Sequence, residues 1–341
     1  MRLGGRWFGA LLGLAIAVTL IEPGRADSTN AGSSASALGD YPNRAIRVIV
    51  SFTTGGAADL TARVVGERLS AQVHQPVVVE NRAGGGGVLA LDLLKNAQPD
   101  GYTLGVASNS NATKPATMTR LPWDLAQDFS YVAIAVDATM VLVGNPDRVS
   151  AATLSELTAF MREHPGRYVY GSCGVASTQQ FAMEKYRFRT GAIATHVPYK
   201  GCAVATPEVL SGQIDLALVA LSNALQYIKA GRLRAYGVTT ATRSAIAPEI
   251  ATFRESGVPE LRDYVQDAWY GFAAPAGTSQ AIIEFLSDSI RQILATPEVS
   301  AHLRSVGLQP AYAGPQATRA RMLTDVTSFT QISAAAHIKA D

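Results

Sequence analysis

The sequence predicts a two-lobed α/β protein, each lobe a mostly parallel sheet flanked by helices, with a ligand cleft between the lobes. Three observations carry this expectation. Apolar runs of the buried-strand type alternate with helical patterns of about 10–15 residues, as in sheets covered on both faces. Two polar, glycine-bearing loops, 51–59 and 170–178, each end an apolar run and open a helical pattern. No Pro-, Gly- or Ser-rich linker separates the halves, so the chain is expected to cross directly between lobes.

The elements follow in order. Residues 46–52 (IRVIVSF) form a continuous apolar strand. Leu60, Val64, Val65, Leu69 and Val73 then recur at helical spacing, with Arg63 and Glu67 one turn apart on the outer face. A strand over 76–80, a helix over 88–96 and a strand over 102–107 come next. The runs 131–136 and 141–143 are strands passing from one lobe to the other. Thr153 and Glu156 open a helix over 153–163 as a capping box. Strand 168–171, helix 177–187, strand 195–199, a helix near 207–210 and strand 214–219 follow. A helix over 223–230 stops at Gly231, before strand 234–239. Strand 269–274 and helix 278–294, with Ile282, Leu286, Ile290 and Leu294 at helical spacing, return the chain to the first lobe. Lobe 1 is thus expected to hold 41–142 and 251–341, and lobe 2 to hold 143–250.

Residues 1–26 read as a secretory signal. Arg2 and Arg6 give a positive start, 7–20 an apolar run, and Gly24 and Ala26 the small residues of a cleavage site after Ala26. The run is shorter than the ~20 residues of a membrane span. Residues 27–40, rich in Ser, Ala and Gly, read as a flexible leader. Without 1–26 the chain carries 26 basic and 26 acidic residues. No basic stripe remains for nucleic acid or anionic lipid. About 300 residues are left, enough for two apolar cores.

The two loops carry the chemistry. Each lies where a strand ends and a helix starts, where free N–H groups and the positive dipole end attract anions. Gly55 and Gly56 are expected to let backbone N–H groups approach a carboxylate closely. Neither loop has a nucleophile–base pair or a Walker lysine, and no HExxH or GxSxG occurs. Residues 84–87 break the dinucleotide spacing at Leu89 and read as tight backbone packing. No catalysis, cofactor or metal is expected. Asp59 lies in a first helical turn, where the dipole alone favours an acid, so structural support and ligand contact both stay open.

A series of motifs runs along almost the whole chain. They are Tyr41-Pro42 with 46–52, Gly55-Gly56 with Asp59 and Arg63, and PVVVENR (76–82) with 84–87. PDGYTL (99–104), LPWDLAQDF (121–129), 170–174 and HVPYKG (196–201) follow. Gly212-Gln213-Ile214-Asp215, IKAGRLR (228–234) and WYGFAAPAGT (269–278) complete it. In this order they resemble the extracytoplasmic solute receptors of the tripartite tricarboxylate transporter (TctC, or Bug) family. The resemblance implies a type II-like periplasmic binding protein, monomeric, that closes on a small carboxylate and delivers it to multispanning membrane permease subunits. It places ligand contacts on Phe52, Gly55, Gly56 and Asp59 in the first loop and on Ser172, Gly174, Ser177 and Thr178 in the second. Thr53, Thr54, Ser108 and Cys173 complete the candidate set.

Departures from the family pattern bear on the ligand. Ser51, Thr53 and Thr54 stand where Pro, Ala and Pro are usual and add hydroxyls. Cys173, Val175, Ala176 and Gln180 stand where Ser, Asn, Gly and His are common, and Ala220 replaces an Asp. The second lobe loses polar groups, which tilts the ligand from amino acids toward a dicarboxylate with an apolar body, aliphatic or aromatic. Cys173 and Cys202 both occupy positions usually held by serine, beyond the ends of strands 168–171 and 195–199. Neighbouring strands lie ~4.8 Å apart, within reach of the about 4.4–6.8 Å Cα separation of a disulfide. A bridge is therefore expected in an exported chain, the alternative being two small buried thiols. The competing functional class is a sensory receptor docking on a membrane histidine kinase. A periplasmic hydrolase is disfavoured by the missing nucleophile–base signature.

Overall fold

A computed structural model describes residues 38–336 and 338. The signal segment and the leader up to residue 37 lie outside the described residues. The elements below belong to one compact unit that begins at Asp40. In chain order the strands are β1 (Ile46–Val50), β2 (Val77–Asn81), β3 (Thr103–Ser108), β4 (Phe129–Ala138), β5 (Met140–Gly144) and β6 (Val169–Ser172). β7 (Thr195–Pro198), β8 (Leu216–Ala220), β9 (Arg234–Val238), β10 (Ala268–Pro275) and β11 (Gln309–Ala313) follow. They form two sheets, ordered β11-β4-β10-β3-β1-β2 and β7-β6-β8-β5-β9.

The two-lobed α/β architecture is the expected one, but the sheets are mixed rather than mostly parallel. β1 pairs in parallel with β2 and β3, and β6 with β7 and β8. β10 is antiparallel to β3 and β4, β11 to β4, and β5 to β8 and β9. The chain's own path explains the pairings of β5 and β10. β4 leaves the first sheet and, after Thr139 alone, becomes β5 of the second. A strand that enters a lobe from its neighbour starts at the interlobe edge, where the βαβ strands finish, and must run against them. β5 and β10 are those entering strands.

The helices are α1 (Ala57–Val73), α2 (Val88–Lys95), α3 (Asn109–Ala112), α4 (Lys114–Thr117), α5 (Leu154–Glu163) and α6 (Thr178–Thr190). α7 (Cys202–Leu210), α8 (Leu221–Lys229), α9 (Gln280–Ala295), α10 (Pro297–Ser305) and α11 (Pro315–Ala336) complete the set. α1 packs on β2 and α9, while α11 lies over β4, α3 and α4 and reaches α6 of the second lobe. There Phe329 meets Phe181 edge to face, with centroids 5.1 Å apart. α5 starts at the expected cap, but the box is staggered. Thr153 Oγ1 accepts from Glu156 N–H, whereas the Glu156 carboxylate accepts from Ala152 N–H. α7 begins at Cys202, well before the expected 207, and carries Pro207 inside it. Among the described residues no helix is long and apolar enough to cross a membrane.

Candidate functional site

β1, β2 and β3 end on an edge that faces the ends of β6, β7 and β8, and the loops beyond these strands meet. Ligands of open α/β sheets sit at such carboxyl ends. Between the loops is a cavity of about 190 Å³. Ser51, Phe52 and Gly84–Gly87 form one wall. Cys173, Gly174, Val175, Pro198, Tyr199 and Lys200 form the other.

The first wall is mostly bare backbone. Gly84, Gly85, Gly86 and Gly87 all have positive φ, at 136°, 55°, 61° and 95°. A Cβ on Gly86 would stand 3.0 Å from Lys114 Nζ and 3.1 Å from Val175 O, so that position also lacks room for a side chain. Ser51 is 5 % exposed, and its Oγ has no hydrogen-bond partner. Buried polar groups are normally paired, so this hydroxyl is free to bond a ligand in the cavity. The reading of 84–87 as packing alone is thereby corrected, since these glycines pack tightly and also line the cavity.

Protein groups meet part of each helix start that drew attention in the sequence. Asp59 is 1 % exposed. Its carboxylate accepts from Gly55 N–H at 2.9 Å, from Arg63 Nε at 3.0 Å and from Asn81 Nδ2 at 2.9 Å. Burial pushes this carboxyl up, but the hydrogen bonds from Arg63, Gly55 and Asn81 outweigh it and hold Asp59 below its ordinary value. Asn81 Nδ2 also donates to Phe52 O, and Thr54 Oγ1 donates to Asn81 Oδ1. Asp59 is thus a buried acid in the first turn of α1, and Asn81 is the hub that shapes the loop. At α6, Ser177 Oγ accepts from Gln180 N–H, and Gln180 Oε1 accepts from Ala176 N–H. Thr178 is fully buried against Ser110 and Asn109.

Of the candidate residues, Phe52, Cys173 and Gly174 line the cavity. Thr53 faces the second lobe, where a Cβ on Gly201 would come within 2.5 Å of its Oγ1. Gly55 O accepts from Asn223 Nδ2 across the lobes at 3.1 Å. Gly56 has φ −80° and room for a Cβ, so no backbone requirement for glycine exists there. Ser108 precedes α3, its N–H held by Asn111 Oδ1. Ser172 shapes the second loop, its Oγ paired with His196 Nε2 at 2.7 Å. Burial holds His196 below its ordinary value. Ala220 is buried at the end of β8, outside the cavity wall. Tyr199 and Lys200 were legible only as part of HVPYKG; Lys200 is an exposed cation on the rim.

Cys173 and Cys202 are joined by a disulfide, with Cα atoms 4.4 Å apart. Their strands are adjacent and parallel, Ser172 facing Pro198 in register. The bridge ties the second loop to the start of α7. Among the described residues no cluster of His, Cys, Asp or Glu is placed to hold a metal ion.

Two lobes joined by crossing strands around an edge-on cavity define a periplasmic binding protein fold. The family model for the tripartite tricarboxylate transporter family receptor matches residues 61–332, and the chain belongs to that family. Protein BugT of Bordetella pertussis is 33% identical over 294 residues, covering 86% of this chain and 89% of BugT. A solved periplasmic transporter superposes with TM-score 0.83 at 33% identity, over 88% of this chain and 100% of that one. R. palustris Rpa4515, solved with adipate, gives TM-score 0.83 at 27% identity over 88% and 99%. MatC from Rhodopseudomonas palustris, solved with bound malate, gives 0.79 at 25% over 86% and 99%.

Proposed function

We propose that this protein, exported to the periplasm with cleavage after Ala26, captures a small dicarboxylate in the interlobe cavity and hands it to a tripartite tricarboxylate-type membrane permease. The observation that carries the reading is the cavity wall itself. The orphaned Ser51 hydroxyl, the side-chain-free backbone of Gly84–Gly87 and the Lys200 ammonium line one space. Clustered donors and a cation suit carboxylate oxygens. Phe52 and Val175 give the cavity apolar surface for the carbon skeleton. At about 190 Å³ the space is below the ~300–1,000 Å³ of drug-sized sites, so a ligand of few carbons fits. The adipate and malate held by two structural relatives are of this size and charge.

A thermal-shift screen against mono-, di- and tricarboxylates and amino acids tests the reading. A ligand at a hundred times its dissociation constant stabilises the native state by about 2.7 kcal/mol, enough for a clear rise in Tm. Dicarboxylates are expected to lead the ranking. Stabilisation only by amino acids or sugars, or by none of the panel, overturns it.

A further inference from the structure

Lys114, the first residue of α4, is only 2 % exposed and lies directly behind the cavity. Its Nζ donates to Val175 O at 3.0 Å and to Ala176 O at 2.7 Å, both in the loop of the second sheet. The same nitrogen would stand 3.0 Å from a Cβ on Gly86, in the opposite wall. One buried amine therefore touches both walls, and two of its three neighbours, Gly86 and Val175, line the cavity. Thr113 Oγ1 donates to Ala176 O beside it.

Among the described residues no acid is paired with this amine. Residues 84–87 and 174–177 carry no ionisable side chain. α11, which packs on α4, carries Arg319, Arg321 and Asp325. Arg319 donates to Ala126 O, and Arg321 and Asp325 pair with each other and with Asp267 and Trp269. The other ionisable groups at the cavity wall are Tyr199, Lys200 on the rim and His196 behind Ser172. A buried ammonium with only carbonyl partners is unfavourable, and burial pushes Lys114 down to about 7.

We propose that Lys114 is the internal counter-charge for the anion in this cavity, taking up a proton from solvent as the anion seats and then tightening its hydrogen bonds across both walls. The inference rests on the carboxylate reading above. It makes Lys114 a positioning residue, because the amine acts from behind Gly86 and Val175. The free protein leaves the amine largely neutral above pH 7, whereas a carboxylate beyond the wall favours the charged form. Binding and protonation then become linked, so affinity falls as pH rises through that window.

Isotope-edited NMR of labelled lysine tests this, the Lys114 signal being assigned by its loss in Lys114→Gln. In the free protein it should titrate with a midpoint near 7. Saturation with malate, adipate or the leading ligand of the carboxylate panel should raise that midpoint by about one pH unit or more. Calorimetry at about pH 8, in buffers of different ionisation heat, should show proton uptake on binding and an affinity falling up to about tenfold per pH unit above 7. Lys114→Gln keeps an N–H donor without the charge, and should bind with no such uptake and a flat profile. Lys114→Met, lacking the donor as well, should bind still more weakly. His196, held below its ordinary value, titrates beneath this window. A bound carboxylate that leaves the Lys114 midpoint unmoved, or uptake unchanged in Lys114→Gln, overturns the inference alone. If no carboxylate binds wild-type protein at any pH, the functional reading falls and takes this one with it.

Discussion

A buried hydroxyl with no partner destabilises the fold that contains it, and Ser51 carries one at the cavity wall. Ser51→Ala removes that unsatisfied group with almost no change in shape. Stability in urea is expected to stay level or to rise by up to about 1 kcal/mol, while affinity for the captured carboxylate falls about tenfold or more, the value of one hydrogen bond to a charged group. A fall in both would make Ser51 a structural residue. Lys114 has its own signature in the free protein. Its folded-state value lies near 7, below the ordinary 10.5, so between those limits the unfolded chain binds more protons than the folded one. Stability should therefore rise with pH across that window, and Lys114→Gln should flatten the rise in urea midpoints. At Gly86 a methyl group would meet Lys114 Nζ and Val175 O at about 3 Å, on a backbone of φ 61°. Gly86→Ala is expected to weaken binding more than Gly56→Ala, which has room.

At the scale of elements, the disulfide closes a loop of sequence separation 29 between the end of β6 and the start of α7. The double variant Cys173→Ser, Cys202→Ser should lose about 3–4 kcal/mol by the chain-entropy relation and bind more weakly, because Cys173 and Gly174 line the cavity. Unchanged urea midpoints would show that the loop is held without the bridge. The cysteine pair was legible because β6 and β7 could be read as successive parallel strands. Long periodic helices such as α1 and α9 were legible too. α3 and α4 were not, for four residues are too few to show a period. Lys114 consequently gave no signal in the sequence. At the helix starts 57 and 178 the sequence shows the dipole but not the side chains that meet it. Only the fold brings Asp59, Asn81 and Arg63 together beside the first, and Ser110 to the second. Strand direction escaped for a similar reason: an apolar run gives no sign of the edge from which it enters its sheet.

Across the whole molecule the two sheets meet through paired crossing segments. Thr139 alone separates β4 from β5, while Thr239 and Gln266, on the return path, exchange hydrogen bonds backbone to backbone and hydroxyl to carbonyl. Such short, mutually bonded crossings suit a hinge. Beyond them, Asn223 Nδ2 donates to Gly55 O, and Ser110 pairs with Thr178. These contacts can persist only while the lobes are together. Each wall alone offers half the donors, so ligand is expected to favour the closed arrangement and to reduce the radius of gyration in solution scattering. Asn223→Ala then isolates closure from contact, because Asn223 does not line the ligand cavity. Loss of one interlobe hydrogen bond worth about 0.5–1.5 kcal/mol should shift the balance toward the open form and weaken binding about two- to tenfold. The free variant should scatter as a more open particle, and saturating ligand should return it to the wild-type closed curve. Scattering curves that ligand leaves unchanged in both proteins, with equal affinities, would mean that the lobes form a fixed cavity rather than a clamp.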